Sequence, residues 1–383
     1  MIQVLLGTNI TNSFVKRCRL VIDMKRVGVL YHADTLMHVT DFTRPWMESF
    51  ESPQRITLTL DFLRKSDLSK NDEIDFLEGK RAEVKDVLRV HHPYIFHIID
   101  ELSKMGRGIA GELSYVSRGT FKAALAAVGT AIKAGELVAK GVYDQCFALI
   151  RPPGHHAGVA HAEGLCFFNN VAVMIKYLQE EIGIGRIMVV DWDAHASDGT
   201  SQIFYDDDTV LVLSFHEYDF DQGERGGVQE IGYGKGEGYN VNVPLPLGTA
   251  EDCYFDVFVE FFESLARNFH PDLIAVSAGF DAHFADPVGN MNLRSKTYFK
   301  LSEEVLKVAR RVCNSKIVFV LEGGYNLLAL PLAISAVLYG LIGVEVEFYD
   351  DIGVFETLNV DKRKINEVIK ELKDVLSKYW KNI

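Results

Sequence analysis

The residues best suited to chemistry lie directly after an apolar run near the middle of the chain. Residues 187–190 are apolar, and Asp191, Asp193 and His195 follow them at once. In an extended segment these three side chains share one face, because side chains alternate at a period of two. The pattern predicts a buried strand that carries polar groups to the edge of a sheet, where sites form. The alternative is that the acids only cap the next helix.

A further carboxylate, Asp281, follows a second apolar run at residues 273–277. With Asp193 and His195 it would supply one nitrogen and two carboxylate ligands and leave coordination positions open for water and substrate, as a catalytic metal requires. We expect Zn²⁺, with Fe²⁺, Co²⁺ or Mn²⁺ as alternatives because the ligand set is rich in carboxylates. Taken alone, Asp281 could equally be a turn residue after a strand.

A histidine pair follows another predicted strand, at residues 146–150. A Pro-Pro-Gly turn leads into His155 and His156, whose imidazoles titrate near neutral pH and can act as general base and general acid. Asp191 and Asp198 lie in the predicted metal-bearing loop and are available to orient them. A histidine pair standing alone in a loop is more often a plain surface feature.

Tyr325 follows Gly323 and Gly324 after a predicted strand at residues 317–321. Its hydroxyl could stabilise a developing oxyanion above the metal, although a Gly-Gly-Tyr segment by itself is usually a simple turn. Because each of these polar loops comes after a strand, all of them should open on the same edge of one parallel sheet.

Strand-like and helix-like segments alternate along the chain, which predicts an α/β fold with a central parallel sheet covered by helices on both faces. The charged segment 67–83 is predicted to be a surface connection, and the glycine-rich segment 106–111 a loop. The remaining predicted strands are 27–31 and 210–214. One helix is predicted to begin at Ser52-Pro53, and five more are predicted at 121–138, 168–183, 251–268, 295–313 and 365–379.

The composition limits the classes of protein. The 383 residues are 48% hydrophobic and 24% charged, which is enough apolar material for a large core. The net charge of -13 argues against direct nucleic-acid binding and is compatible with a cationic substrate. Five cysteines without a CxxC pair indicate reduced thiols and a cytoplasmic location, and no apolar stretch is long enough to span a membrane. We interpret residues 1–24 as an N-terminal extension and 25–383 as one catalytic domain.

Five segments of the chain resemble the motifs of the histone deacetylase superfamily, which includes acetylpolyamine amidohydrolases and acetoin-utilisation proteins. They are RPPGHHA, GLCFFNNVAV, VDWDAH with SDGT, SAGFDAHFADP and LEGGY, in this order. The likeness covers residues 26–343 and begins with the ESPQR segment. It implies the three-layer arginase/deacetylase fold and hydrolysis of an acetylated amine to acetate and free amine. The implied substrate is acetyl-lysine in a protein or an acetylated small amine such as a polyamine.

The resemblance also assigns roles to individual residues. It implies a metal site made by Asp193, His195 and Asp281. It implies catalytic roles for the tandem histidines, their paired carboxylates and the tyrosine, which are His155 with Asp191, His156 with Asp198, and Tyr325. It further implies K⁺ at a site made by Asp191, Ser214 and backbone carbonyls of Asp193, His195 and Phe215. A second monovalent site would involve Phe204, Asp207, Val210 and Tyr239.

Three segments depart from the family pattern. Ala196-Ser197 replaces the His-Gly that commonly follows the ligand histidine. Leu165 replaces a Phe of the substrate channel, which predicts a wider channel. The loop 219–227 differs from the usual Phe-Pro-Gly-Thr-Gly segment, and we expect Phe220 to form the other channel wall.

Two further residues are assigned to the substrate channel by the resemblance. Glu112 aligns with an acid at the rim that holds the substrate backbone. Gly323 is assigned to the channel from the LEGGY motif.

Two other functions are consistent with the same pattern. An arginase-like dimanganese hydrolase needs more acids for its second metal, but Asp281 is followed by Ala282-His283, with no second Asp two positions on. A binding protein for acetylated ligands would be expected to have lost a metal ligand, a histidine or the tyrosine, and this chain has all of them. The sequence therefore favours a one-metal amidohydrolase.

Overall fold

The computed structural model describes residues 27–39, 50–350, 360 and 362–383. The predicted extension, residues 1–24, lies outside the described part. Eight strands form one parallel sheet in the order β2-β1-β5-β10-β9-β6-β7-β8, and β3 and β4 form a separate antiparallel hairpin. The strands are β1 Val27–Tyr31, β2 Ile74–Glu78, β3 Arg107–Gly111, β4 Ser114–Ser117, β5 Gln145–Ala148, β6 Ile187–Asp191, β7 Val210–Tyr218, β8 Asn240–Pro246, β9 Leu273–Ala278 and β10 Ile317–Leu321.

The helices cover both faces of this sheet, as predicted, in two groups whose members pack on one another. One group contains α1, α7, α8 and α9, and the other contains α2 to α6. The helices are α1 Gln54–Lys65, α2 Val84–Val87, α3 Pro93–Met105, α4 Thr120–Ala139, α5 Asn170–Tyr177, α6 Asp198–Ile203, α7 Glu251–Phe269, α8 Ser295–Val312, α9 Ala329–Ile342 and α10 Lys362–Leu376. Within the described residues, no helix is both long and apolar enough to cross a membrane.

The central strands are mostly apolar because a parallel sheet is buried on both faces. Every residue of β5, β6, β9 and β10 is buried. Only the last residue of β6, Asp191, is charged, so the polarity begins where the strand reaches the edge of the sheet.

Two predictions about connecting segments were wrong, and one edge strand was not predicted. The charged segment 67–83 contains β2, an edge strand in which only Ile74 is buried. The segment 106–111 contains β3, which pairs with β4. Strand β8 has no counterpart among the predicted strands and pairs with β7 at the opposite edge. The strand predicted at 210–214 extends to Tyr218.

A buried ion cluster joins the ESPQR segment to two loops of the sheet edge. Glu51 accepts hydrogen bonds from Arg55 Nη1 at 3.0 Å and from Arg151 Nε at 2.8 Å, and all three side chains are fully buried. Arg55 also donates to the carbonyl of Gly324 at 2.7 Å. Burial alone would raise the pKa of Glu51, but the guanidinium groups of Arg151 and Arg55 lower it to about 2.

Protonation or removal of this carboxylate should destabilise the fold. Replacing Glu51 with Gln is expected to cost about 3–5 kcal/mol, because two buried guanidinium groups lose their counter-charge. The pKa of Glu51 is lower in the folded than in the unfolded chain, so its contribution is complete above the unfolded value of 4.5 and is lost as the pH falls towards about 2.

Urea unfolding of the wild type and Glu51→Gln at several pH values measures this contribution. The exposed pair of Asp61 with Lys65, at 2.7 Å, provides the control, and Asp61→Asn should change stability by less than about 1 kcal/mol. Equal stability of the two variants at neutral pH would contradict the assigned role of Glu51.

Candidate active site

Loops from four adjacent strands meet at one edge of the sheet. β5, β10, β9 and β6 are neighbours in this order, and their carboxyl ends lead to the histidine pair, the LEGGY loop, Asp281 and the VDWDAH segment respectively. Parallel strands deliver their following loops to the same edge, so residues far apart in the chain become neighbours.

Asp193, His195 and Asp281 form a compact group in which one ligand atom from each residue lies within 4.8 Å of the others. Nδ1 of His195 is 3.1 Å from Oδ1 of Asp193 and 3.2 Å from Oδ2 of Asp281. Both carboxylates are buried, whereas the side chain of His195 is about a third exposed. The group therefore combines one nitrogen and two carboxylates with access from the solvent side.

The surroundings of these carboxylates fit a bound cation. Oδ1 of Asp281 accepts the backbone N–H of Ala194 at 2.9 Å, and Oδ2 of Asp193 accepts that of Gly323 at 2.8 Å. Apart from its contact with Nδ1 of His195, Oδ2 of Asp281 is buried without a hydrogen bond in the described structure. A buried carboxylate oxygen is costly to leave without a partner, and a divalent cation would supply one.

Gly323 forms the floor of this group. A Cβ added to Gly323 would lie 2.1 Å from Oδ2 of Asp281 and 2.6 Å from Oδ2 of Asp193, much closer than van der Waals contact. Gly323 is therefore placed against the two carboxylates of the candidate metal site.

Replacing Gly323 with Ala should weaken metal binding. We expect at least about a 10-fold loss of metal affinity, because the methyl group must displace one of the two carboxylates. Metal titration followed by calorimetry measures this loss, and circular dichroism checks the fold. Gly227→Ala is the control, since its added Cβ has no neighbour closer than 3.6 Å. Unchanged affinity in Gly323→Ala would show that the carboxylates do not form the metal site.

The two histidines are each paired with a carboxylate, as predicted. Nδ1 of His155 is 3.1 Å from Oδ2 of Asp191, and Nδ1 of His156 is 2.7 Å from Oδ1 of Asp198. Burial lowers the pKa of His155, but the carboxylates of Asp193 and Asp191 outweigh burial and raise that pKa well above its usual value. Burial and the neighbouring His155 lower the pKa of His156. The two imidazoles are thus suited to opposite proton-transfer roles.

The loop that carries the histidines is held by buried polar groups. Oε2 of Glu322 accepts the backbone N–H groups of Gly154 at 2.6 Å and His155 at 3.2 Å. Asn169 donates to the carbonyl of Ala157 at 3.2 Å and caps α5 by accepting the N–H of Ala172 at 2.9 Å. The FFNN and LEGGY motifs therefore position the histidine loop, a role that the sequence analysis did not assign.

Tyr325 is 7% exposed and lies close enough to Asp281 and Asp193 for their charges to act on its hydroxyl. Its backbone N–H donates to Oδ2 of Asp286 at 2.6 Å, and the guanidinium of Arg55 lies 4.8 Å from the centre of its ring. No hydrogen bond within the described residues engages its hydroxyl. Burial raises the pKa of Tyr325 well above its usual value, so the phenol keeps its proton and can donate it in a hydrogen bond.

A cavity of about 450 Å³ opens above this group. Its lining includes His156, His195 and Glu112, so the predicted rim acid does lie at the cavity. The lining contains neither Leu165 nor Phe220. Other side chains and backbone segments of the lining are Leu113, Glu163, Gly164, Ala196, Asp198, Glu217, Glu224 and Arg225.

Phe220 does not belong to the lining of this cavity, and its role as a channel wall stays a prediction. Its ring packs on Tyr218 with a centroid distance of 4.8 Å, and Nζ of Lys364 in α10 lies 4.5 Å from its centre. The C-terminal helix, far away in sequence, therefore contributes to the surroundings of this ring. Leu165 is buried with a positive φ of 68°, and its neighbour Gly164 lines the cavity in its place.

The residues of the predicted potassium sites lie in strands β6 and β7 and in the segments next to strands β6 to β8. Asp191 of β6 is in register with Ser214 of β7, and the hydroxyl of Ser214 is 2.8 Å from Nδ1 of His216. At the second predicted site, Oδ2 of Asp207 is paired with Nζ of Lys176 at 2.6 Å. The first predicted site also includes Phe215, and the second also includes Phe204, Val210 and Tyr239. Binding of K⁺ stays a prediction.

Comparisons with known proteins agree with this fold and site. The histone deacetylase domain model matches residues 49–341. A probable deacetylase of Archaeoglobus fulgidus is 37% identical over 361 residues, which cover 92% of this chain and 98% of the relative. A histone deacetylase-like amidohydrolase of Pseudomonas aeruginosa is 35% identical over 274 residues, which cover 72% of each protein.

A solved structure gives independent support. The crystal structure of the HDA15 HD domain aligns with a TM-score of 0.82 and 26% sequence identity, covering 94% of this chain and 96% of that one. The eight-stranded parallel sheet with helices on both faces has the three-layer arginase/deacetylase fold. The chain belongs to the histone deacetylase family.

Proposed function

We propose that this protein is a metal-dependent deacetylase that hydrolyses an acetylated amine to acetate and free amine. The observation that carries the proposal is the convergence of the Asp193, His195 and Asp281 group with two carboxylate-paired histidines at one edge of the sheet, where His156 and His195 line a cavity. Tyr325 lies near the same carboxylates, whose charges act on its hydroxyl. Family membership supports the class of reaction. The same convergence argues against a binding protein, which has no need of paired proton-transfer groups.

Asp193, His195 and Asp281 would hold the metal, with Zn²⁺ as the proposed ion and Fe²⁺, Co²⁺ or Mn²⁺ as alternatives. When bound, the ion would act as a Lewis acid on the substrate carbonyl and favour ionisation of water. Asp281 is followed two residues later by His283, which is buried and lies 3.6 Å from Asp350. No carboxylate at that position is available for a second metal, so a one-metal site is favoured over an arginase-like one.

The histidine pair would handle the protons of the reaction. His156 would accept a proton from the attacking water, since its lowered pKa favours the neutral imidazole and Asp198 fixes its Nδ1. The amine must leave protonated, and His155 is suited to stay protonated because Asp191 and Asp193 raise its pKa. The hydroxyl of Tyr325 would donate a hydrogen bond to the carbonyl oxygen as negative charge develops there.

The cavity rim favours a substrate that carries positive charge. The lining contains one arginine, Arg225, and four glutamates, which are Glu112, Glu163, Glu217 and Glu224. Both acetyl-lysine in a basic peptide and an acetylated polyamine carry such charge, so both remain candidate substrates. The buried, free thiols of Cys146, Cys166 and Cys313 are consistent with the proposed cytoplasmic location.

A side-by-side assay separates the two substrate types. Acetate release is measured from an acetyl-lysine peptide and from an acetylated polyamine, with the metal content of the protein determined in the same samples. A preference of at least about 10-fold in kcat/KM, equivalent to about 1.4 kcal/mol, would identify the substrate class. The proposal would be abandoned if metal-loaded protein released no acetate from either substrate.

A further inference from the structure

Two of the segments that depart from the family pattern meet in the structure. Ala196 follows the ligand histidine, and Gly226 belongs to the loop 219–227. A Cβ added to Gly226 would lie 2.7 Å from Cβ of Ala196 and 2.6 Å from Nε2 of His216. The backbone of the loop therefore approaches residue 196 so closely that an imidazole there would require the loop to move.

This close approach is fixed by several hydrogen bonds. The carbonyl of Gly226 lies 3.0 Å from Nε2 of His216, and the N–H groups of Gly226 and Gly227 both donate to Oε1 of Glu230 at 2.9 Å. The hydroxyl of Tyr218 donates to the carbonyl of Glu224 at 3.0 Å. Residues on both sides of Arg225 are thus held against the body of the protein, which sets where its side chain can reach.

Arg225 reaches the carboxylate that supports one of the catalytic histidines. Its Nη1 is 2.5 Å from Oδ2 of Asp198, while the other oxygen of Asp198 lies 2.7 Å from Nδ1 of His156. The guanidinium also pairs with Glu163 on the opposite side of the cavity rim. A chain of charged contacts therefore runs from Glu163 through Arg225 and Asp198 to His156.

Among the described residues, no cation makes a comparable contact with the pair of His155 and Asp191. The second oxygen of Asp191 accepts the backbone N–H of Asp193 at 3.0 Å, and its side chain is completely buried. The side chain of Asp198 is 14% exposed, so water competes for its carboxylate oxygens. The surrounding protein therefore restricts the rotation of this carboxylate less than that of Asp191. An ion pair that binds the outer oxygen of Asp198 compensates for this exposure, because it fixes the rotation of the carboxylate.

We propose that Arg225 is a positioning residue for His156, acting through the carboxylate of Asp198. The small side chain of Ala196 permits the loop to approach, and the loop delivers the guanidinium. The inference rests on the proposed function, in which His156 accepts the proton of the attacking water. The inference explains two departures from the family pattern together. Both Ala196 and the course of the loop 219–227 are needed for Arg225 to contact Asp198.

Kinetics of Arg225→Met provide the first test. This variant keeps much of the side-chain length but loses the charge and the hydrogen bonds. We expect kcat to fall about 10-fold with little change in KM, the size typical of a group that supports a catalytic residue. Arg225→Lys should recover part of the loss. Arg311→Met is the control, because Arg311 is similarly exposed and pairs with Glu263 at 2.8 Å away from the site.

Proton NMR provides a readout that does not depend on activity. The low-field resonance of the His156 Nδ1–H group is identified by its absence in His156→Ala. We expect it to shift or broaden in Arg225→Met and to stay unchanged in Arg311→Met. An unchanged resonance in Arg225→Met overturns the inference, whatever happens to kcat. Wild-type protein that releases no acetate would instead count against the proposed function, and the NMR comparison would still decide the role of Arg225.

Discussion

Replacing Tyr325 with Phe is expected to lower kcat by roughly 10²–10³-fold, the usual cost of losing one donor to a developing oxyanion. KM should change little, because the hydroxyl acts mainly on charge that exists only in the transition state. The geometry supports this separation of effects. The ring is held by Arg55, and the backbone by Asp286, so neither contact depends on the hydroxyl.

Steady-state kinetics on the better of the two acetylated substrates provide the measurement. Tyr298→Phe is a matched control, because Tyr298 is buried near Asp281 and its hydroxyl has no hydrogen-bond partner within the described residues. That variant should keep nearly full turnover. If Tyr325→Phe did so as well, or if it raised KM and left kcat unchanged, the hydroxyl would not be the oxyanion donor.

Replacing Asp281 with Ala is expected to remove both metal binding and turnover. The loss should exceed the roughly 10–100-fold that changes in supporting residues cost, since a direct ligand is deleted. The fold should persist, because the only hydrogen bond recorded to this carboxylate from the described backbone is the N–H of Ala194. Metal stoichiometry after dialysis and acetate release, measured on the same preparation, report the two effects.

The variant Asp286→Ala is a control that distinguishes loss of the metal from a displacement of the loop that carries Tyr325. Asp286 accepts the N–H groups of Tyr325 and Asn326 at 2.6 and 3.0 Å but does not belong to the metal-ligand group. This variant should retain one metal per chain while turnover falls. Full metal content in Asp281→Ala would contradict the assignment of Asp281 as a ligand.

The strands that carry the site could be predicted from the sequence because their signals are local. Strand β10 was predicted at its observed bounds, and β9 and β6 each extend one residue beyond their predicted apolar runs, with polar residues at the expected ends. A parallel sheet then requires the loops to meet at one edge. The pairing of His155 with Asp191 and of His156 with Asp198 came from the family resemblance, and the structure has both contacts.

The edge strands could not be recognised because their signals are weak. β2 has charges at Asp75 and Glu78 and is half-exposed, which is also the pattern of a surface connection. β8 contains Pro244 and Pro246, which usually argue against a strand. The only strand paired with β8 in the described structure is β7, so β8 is an edge strand. At an edge, a proline without an N–H group removes few hydrogen bonds between strands and costs little.

The cavity wall depends on contacts between distant parts of the chain. Phe220 lies in the rim loop, but Lys364 of the C-terminal helix and Tyr218 determine where its ring packs. Likewise, the meeting of Ala196 with Gly226 results from a close backbone approach that neither residue type signals alone. Sequence patterns predict which residues are available at a sheet edge, whereas tertiary packing decides which side chains face the cavity.

Metal reconstitution tests the central claim most directly. Chelator-treated protein is titrated with Zn²⁺ while acetate release from the acetylated substrate is measured. We predict no release before addition, and recovery that saturates at one equivalent per chain, since Asp193, His195 and Asp281 make one site. Acetate release that persists in metal-free protein, or saturation only at two equivalents, would contradict the account.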